Sequence, residues 1–373
     1  MLILAGVSIS LVLNNNGVIS KAKDAKNQYA EAQTNDEKQL EETSDWIDEM
    51  ETGIKKVDGV PIPDGYYYVG GTKAKGLVIS DEKADAGKYK TVTDGNIPQT
   101  ELIGNQWVWV PVETPSSLYT TVDAGVALAG STGVKTTKYT NSEIISGETR
   151  GLPGSRSYRE PDIITSYDDD AGAKTAGFSS LANMAETMVR EYEEMIASLE
   201  KYKGFYIGRY ELTANGEKTG ATTNVNWYTL YKNCTTLASG TKVKTRMIWG
   251  LQWDATCNWL ANSDPRYSIK DSSTWGNYKN NTADGGHGIK QNTGSSESWK
   301  ANNIYDFAGN CLEFTQEAGY TYVRVSRGGS YGNDGLLRSS FLLWRLPSYR
   351  HRQPHWFSPY FIFDTMRYRG EEF

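Results

Sequence analysis

The chain has 373 residues, a formal charge of −6, 38% hydrophobic residues and a 12% aromatic share that includes 24 Tyr and 11 Trp. That length can bury a sizeable core, in one large domain or two ordinary ones, and the acidic balance offers no basic face for phosphates, which excludes nucleic acid as an expected partner. The three cysteines, Cys234, Cys257 and Cys311, lie far apart with no CxxC pair, which argues against zinc and leaves either three buried thiols or one disulfide with a free thiol.

From the N-terminus, Met1 to Leu13 is uncharged and apolar. It is too short to span a bilayer, which takes about 20 residues, and it lacks the basic start and cleavage site of a secretory signal. The run from Asn14 to Thr52 is charged and helix-prone. Together they predict an anchor running into a stalk, or else an amphipathic helix packed on the domain. Gly59-Val-Pro-Ile-Pro-Asp-Gly65 reads as a linker. Tyr66–Val69, Leu77–Ile79 and Gln106–Val112 are β-rich or alternating runs that predict strands. Residues from about 113 to 174 are Ser-, Thr-, Gly- and Asp-rich and predict a surface insertion.

Helical periodicity returns at Met184, Met188, Tyr192, Met195, Ile196 and Leu199, spaced by three and four residues, which predicts an amphipathic helix ending at Gly204. Phe205–Glu211 predicts a strand, and Gly250–Asn262 a second helix with Trp253, Cys257 and Leu260 on one face. Asn262 to Asn303 is Asn-, Ser- and Gly-rich and predicts loop.

The most specific signal is Asn303-Ile-Tyr-Asp-Phe-Ala-Gly-Asn-Cys-Leu-Glu-Phe-Thr315 followed by Arg324-Val-Ser-Arg-Gly-Gly-Ser-Tyr331. Gly309-Asn310 suits a tight left-handed turn, and Gly328-Gly329 a close pass of backbone under a neighbouring segment. These stretches resemble the formylglycine-generating-enzyme (sulfatase-modifying factor) branch of the C-type lectin fold. Gly204–Glu211 resembles its first core strand, and Lys244–Trp253 stands where it begins a helix. The resemblance covers about residue 59 to the C-terminus. It implies an α+β, C-type-lectin-like domain with short strands, two helices and long loops, preceded by an N-terminal helix. Some members of that group bind calcium near the GNxWE segment, so Asn310 and Glu313 are candidate calcium ligands, with Leu312 replacing the family's first Trp; otherwise Glu313 accepts hydrogen bonds from a loop. No other cofactor is implied.

The enzyme's own chemistry needs a cysteine pair after the RGGSW-type turn, where the thiolate is the reactive species, and this chain has no cysteine after Cys311. A binding protein is therefore expected, not an enzyme. His351 and His355 have i,i+4 spacing but flank Pro354, which spoils a helical metal pair; the remaining histidine is His287. The acidic runs at Asp168–Asp170 and Glu191–Glu194 read as solvated charge. No GxSxG, P-loop or GxGxxG occurs.

Beyond Gly329 the composition changes. From Tyr331 to Gly370 there are ten Phe, Trp or Tyr, six Arg and two His, with no Lys, Glu or Ala. Tyr, Trp and Arg are what hot-spot surfaces use, while Lys and Glu are depleted there. This segment resembles the variable region of diversity-generating-retroelement target proteins, which follows an RGGSY-type turn on the same fold. The resemblance implies a recognition surface at about 331–369, closed by Met366–Arg369. Its expected ligand-binding residues are Tyr331, Asn333, Asp334, Leu336, Leu337, Leu343, Trp344, Tyr349, Arg350, His351, Arg352, His355, Trp356, Phe357 and Tyr360. Other residues of the tail, such as Phe341 and Ile362, are expected to pack the core.

Leu2 to Ala25 resembles the second half of the N-terminal helix of type IV pilin-like proteins, which implies that a leader and the first half of the helix precede Met1. The expected organisation is thus an anchor and stalk over 1–56 and a lectin-like domain over 57–373. Expected localisation is the cell surface or the extracellular space, anchored in membrane or pilus, with pilin-like assembly through the helix. The partner is a protein or glycan of unknown identity. The alternatives are a phage receptor-binding protein of the same fold and, behind it, an oxidoreductase relative of the formylglycine-generating group.

Overall fold

The computed structural model describes residues 24–30, 32, 54–82, 104–112, 164, 168–211, 225–238, 243–268, 271–281, 288–319, 323–335, 344–346, 355–357 and 359–363; at 318, 319, 323 and from 344 onward it describes backbone alone. Contacts divide the chain into two units, residues 1–61 and 62–373. Met1–Leu13, most of the expected insertion and Met366–Arg369 lie outside the described residues, and none of the described helices is long and apolar enough to cross a membrane.

In the first unit, residues 24–30 are helical and exposed. The first half of the stretch expected as a linker, Gly59–Gly65, instead belongs to a hairpin: β1 (Lys55–Val57), just before it, pairs with β2 (Val60–Ile62). Asp58 and Gly59 join them at φ 53° and 68°, the double left-handed turn whose twist matches that of paired strands and which Asp-Gly favours.

The second unit is α+β. Its larger sheet has six strands in the order β3-β4-β5-β6-β14-β7, all antiparallel. They are β3 (Tyr67–Gly70), β4 (Val78–Ser80), β5 (Gln106–Pro111), β6 (Gly204–Gly208), β7 (Val243–Met247) and β14 (Pro359–Phe363). Every residue of β6 is buried, and β5 is buried up to Pro111, as expected of central strands covered on both faces. A second sheet, in the order β12-β11-β10-β13, comprises β10 (Leu312–Gly319), β11 (Val323–Arg327), β12 (Trp344–Leu346) and β13 (His355–Phe357). Here β10 and β11 are antiparallel while β13 runs parallel to β10. A small pair, β8 (Lys300–Ala301) and β9 (Ile304–Tyr305), precedes them.

In the second unit four α-helices are described where two were expected: α1 (Asp170–Thr175), α2 (Leu181–Tyr202), α3 (Trp227–Thr235) and α4 (Gly250–Ser263). In α2, Ser180 caps the first turn by accepting from Asn183 N at 3.2 Å. The stripe Met184, Met188, Tyr192, Met195 and Leu199 is buried as its spacing predicts, against β6 and β14. This helix ends at Tyr202 with Lys203 left-handed at φ 59°, so Gly204 is the first residue of β6 and not the helix stop. α3 covers β7 with Trp227, Tyr228, Leu230, Tyr231 and Cys234 buried. α4 bridges the two sheets through β5 and β10. All three cysteines are buried free thiols.

The expected insertion ends earlier than 174. Ile164, Asp168, Gly172 and Ala173 are buried, and α1, capped by Asp169 accepting from Gly172 N at 2.7 Å, packs on α2 and α3.

Candidate functional site

The RGGSY turn is built on charges taken out of water. Arg324 and Arg327 have fully buried side chains. Arg324 bonds Asp168 at 2.7 Å and the Gln316 carbonyl at 3.1 Å, and its guanidinium lies 3.8 Å over the Trp227 ring. Asp168 also accepts from the Tyr228 hydroxyl at 2.5 Å. Arg327 makes forked bonds to Glu317, 2.8 Å to each carboxylate oxygen, and reaches Asp254 at 3.4 Å. The acidic runs read as solvated charge are therefore partly buried. Asp168 is one pole of this network. Glu191 lies 2.5 Å from Arg246 and accepts from Tyr231 at 2.7 Å; burial still pushes its carboxyl upward. Of the two runs, Asp169 and Asp170 cap backbone, and Glu194 keeps partial exposure beside Lys244.

Gly328 and Gly329 follow at φ 85° and 74°. Space does not demand glycine at 328, because an added Cβ would find its nearest atom at 3.5 Å; the left-handed backbone does. The Gly328 carbonyl accepts from the Tyr278 hydroxyl at 2.5 Å and from Gly309 N at 2.8 Å. Gly309 is required for both reasons, with φ 81° and a Cβ position 2.4 Å from the Asn277 carbonyl.

Asn310, at φ 49°, satisfies all four hydrogen bonds open to a primary amide. Its Nδ2 donates to Glu211 Oε2 (2.6 Å) and the Gln291 carbonyl (3.2 Å); its Oδ1 accepts from Gln291 N and Asn277 Nδ2 (3.0 Å each). Its own carbonyl accepts from Tyr331 N at 2.9 Å. Asn310 therefore does not fit the calcium role expected of it, since both lone pairs of the side-chain oxygen face N–H donors. Glu313 is buried beside it.

Under this clamp lies an acidic cluster. Glu211 accepts from Cys311 N at 3.1 Å, and Asp306 accepts from Gly294 N at 2.6 Å and Thr293 at 3.0 Å, leaving Oδ1 with no hydrogen-bond partner among the described residues. Burial raises the Asp306 carboxyl to about 7; burial, then Asp306 and Glu313, push Glu211 well above the carboxylate range. A carboxyl raised in the folded state contributes stability that is full below its unfolded value, near 4, and lost as pH rises through the folded value. Thermal stability should therefore fall between pH 5 and pH 8, and Asp306→Asn should flatten that slope. Equal slopes for variant and wild type in thermal melts would contradict the assignment.

The segment after the turn is strapped to the loop at 271–281. Ser330 N and Oγ both donate to Asn333 Oδ1 at 3.0 Å, and Lys279 N donates to the Asn333 carbonyl at 2.8 Å. Asn280 Nδ2 donates to Asp334 Oδ1 at 2.9 Å while its Oδ1 accepts from Gly335 N at 2.8 Å. Of the residues expected to bind ligand, Asn333 and Asp334 thus spend their side chains on loop geometry. Tyr331 is half-buried and Gly332 exposed, and by Gly335 the chain is buried again.

Trp344 lies in β12, its backbone opposite Ser326. His355, Trp356 and Phe357 form β13, opposite Leu312, Glu313 and Phe314, so His355 is on a strand and the helical His pair is ruled out there. Tyr360 is in β14, opposite Ile207 on one side and Arg246 on the other, with Ile362 in the same strand. A strand bonded on both edges is framework, and it arrives before the expected closing segment. Leu336, Leu337, Leu343, Tyr349, Arg350, His351 and Arg352 lie outside the described residues. What sequence reasoning missed is the clamp: Asn277, Asn280 and Gln291 came from a stretch read only as loop. The left-handed φ values at Asn302, Asn303 and Asn310 are the kind of signal Asn-rich composition carries.

No protein-family model and no curated protein matches the sequence. Among solved structures, the chain is similar to Treponema denticola variable protein 1, at 15% identity and a TM-score of 0.31 over 43% of this chain and 85% of that one. A likeness that slight assigns neither fold nor function.

Proposed function

We propose that this chain is a ligand-binding protein with a C-type-lectin-type domain, whose segment after the RGGSY turn is diversified by a retroelement to recognise variable targets. The observation that carries the reading is the change of composition at the turn, against a buried framework before it. From Arg324 to Ser330 every residue is buried; Tyr331 is half-buried, Gly332 exposed and Gly335 buried again, and from Tyr331 on the composition becomes aromatic and Arg-rich without Lys, Glu or Ala. A framework that is satisfied on its own lets neighbouring side chains change at little cost to the fold, and Tyr, Trp and Arg provide contact area and directional donors. Binding is favoured over redox chemistry by the thiols. Cys311 is held protonated by burial and the nearby Glu211 carboxyl, Cys234 by burial, whereas a reactive cysteine needs an accessible thiolate. The pilin-like residues Leu2–Ala25 support display at a cell surface or on a pilus.

The test is comparison of the gene with its genomic neighbourhood. A reverse transcriptase with an adjacent template repeat is expected, with adenine-directed differences falling between codons 331 and 358 and ceasing before Pro359, where β14 enters the large sheet. Differences running through 359–363, or phage tail genes with no template repeat, would overturn it.

A further inference from the structure

Among the described residues the exposed large hydrophobics are Tyr29, Tyr67 and Ile289, and Ile289 is 62% exposed. It is also firmly held. Its carbonyl accepts from Asn277 Nδ2 at 3.1 Å, and two residues on, Gln291 is bonded through both N and O to Asn310. Asn310 is the residue whose carbonyl fixes Tyr331 N, so one buried clamp sets Ile289 and Tyr331 relative to each other. The segments also meet: a Cβ on Gly288 would lie 3.9 Å from both the Tyr331 carbonyl and Lys279. Lys279 and Lys290 are exposed on either side in sequence. Asp334, the acid on the adjoining loop, is bonded to Asn280.

Ile289 thus presents an apolar side chain to water from a backbone fixed by buried amides, with exposed lysines at 279 and 290. We propose that loop 288–291, with Lys279, is a constant second arm of the recognition face, and that it takes an acidic protein segment presenting an aliphatic or aromatic side chain between carboxylates. This rests on the reading of the C-terminal segment as a recognition face. The arm's side chains lie outside that segment, so they would supply affinity common to all diversified forms, with the cations adding on-rate and salt dependence and Ile289 a desolvated contact.

The test pans a random peptide display library on the intact chain and re-measures each clone on Ile289→Asp, on Lys279→Glu/Lys290→Glu, and on a tail variant, Tyr331→Ala/Arg350→Ala/Arg352→Ala. Thermal melts of all variants against the wild type separate loss of binding from loss of folding, and Ile289→Asp, at an exposed side chain, should melt with the wild type. Expected are clones enriched in Asp and Glu around Leu, Ile or Phe, losing about tenfold or more in affinity on each loop variant, a change of about 1.4 kcal/mol, and weakening with salt. No loop-dependent clones, or loop-dependent clones without acidic enrichment, would overturn the proposal. Clones lost on the tail variant but indifferent to both loop variants leave the recognition face standing and remove the arm. Clones lost on the loop variants but indifferent to the tail variant keep the arm and remove the tail from recognition.

Discussion

Arg327→Met is expected to lower unfolding stability by about 3–5 kcal/mol, because it leaves Glu317 and Asp254 buried with no cation between them. The side chains of all three are fully buried, so water cannot take over the lost bonds. Glu317 is further hemmed in by α4: its carboxyl carbon lies 2.1 Å from where a Cβ on Gly250 would sit. That places the carboxylate at the helix's first turn, where unpaired N–H groups favour negative charge, and it explains why α4 begins with glycine. Denaturant unfolding measures the loss. Adding Glu317→Gln to Arg327→Met should recover a good part of it, since the double variant buries one uncompensated charge fewer. A loss under about 1 kcal/mol for the single variant, or no recovery in the double, would show that the network contributes little. Unlike a contact residue, Arg327 should affect folding and binding together, because it anchors β11 immediately before the turn that presents Tyr331.

The parts of this protein legible in the sequence are those decided locally. The α2 stripe follows from spacing alone, and the β5 strand from its Trp-Val-Trp-Val run. Gly309-Asn310 shows as a left-handed turn because few other residues tolerate that backbone. Charges are different, since what buries Asp168 is Arg324, 156 residues away in the chain, and three consecutive aspartates give no local sign that the first is paired. Glu191 is similar, depending on Arg246 from β7 and Tyr231 from α3. The helix α3 has only nine residues, too few for periodicity to separate it from a strand or loop. Within the tail, Pro359–Phe363 shares the aromatic composition of its neighbours, and its backbone pairing with β6 and β7 is what marks it as sheet framework. At the candidate site, then, the motif residues could be found by their glycines, whereas the amide clamp beneath them could not.

Asn310→Ala should be nearly as damaging as loss of Arg327, at about 4 kcal/mol, from two separable sources. The first is the side chain: Glu211 Oε2, Asn277 Nδ2 and both backbone groups of Gln291 lose a partner in a buried site, where each unsatisfied group costs about 1–3 kcal/mol unless neighbours relax. The second is the backbone, because alanine at φ 49° adds roughly 1 kcal/mol that asparagine tolerates better. Asn310→Gly removes the second cost and keeps the first, so it should recover no more than that smaller part. Asn310→Asp keeps the acceptor but deletes the donors facing Glu211 and places another carboxyl in a cluster already holding Glu211 and Asp306. Its deficit should therefore grow from pH 5 to pH 8, while that of Asn310→Gly should change less. Amide exchange gives the local reading: in Asn310→Gly, Gln291 should lose protection ahead of global unfolding because its N–H donates to the deleted side chain, and Tyr331, whose N–H donates to the retained Asn310 carbonyl, should follow to a smaller extent as the clamp loosens. If their protection is unchanged while stability drops, the residue holds the core but does not set the geometry of the face, and the constant arm at Ile289 loses its positioning mechanism.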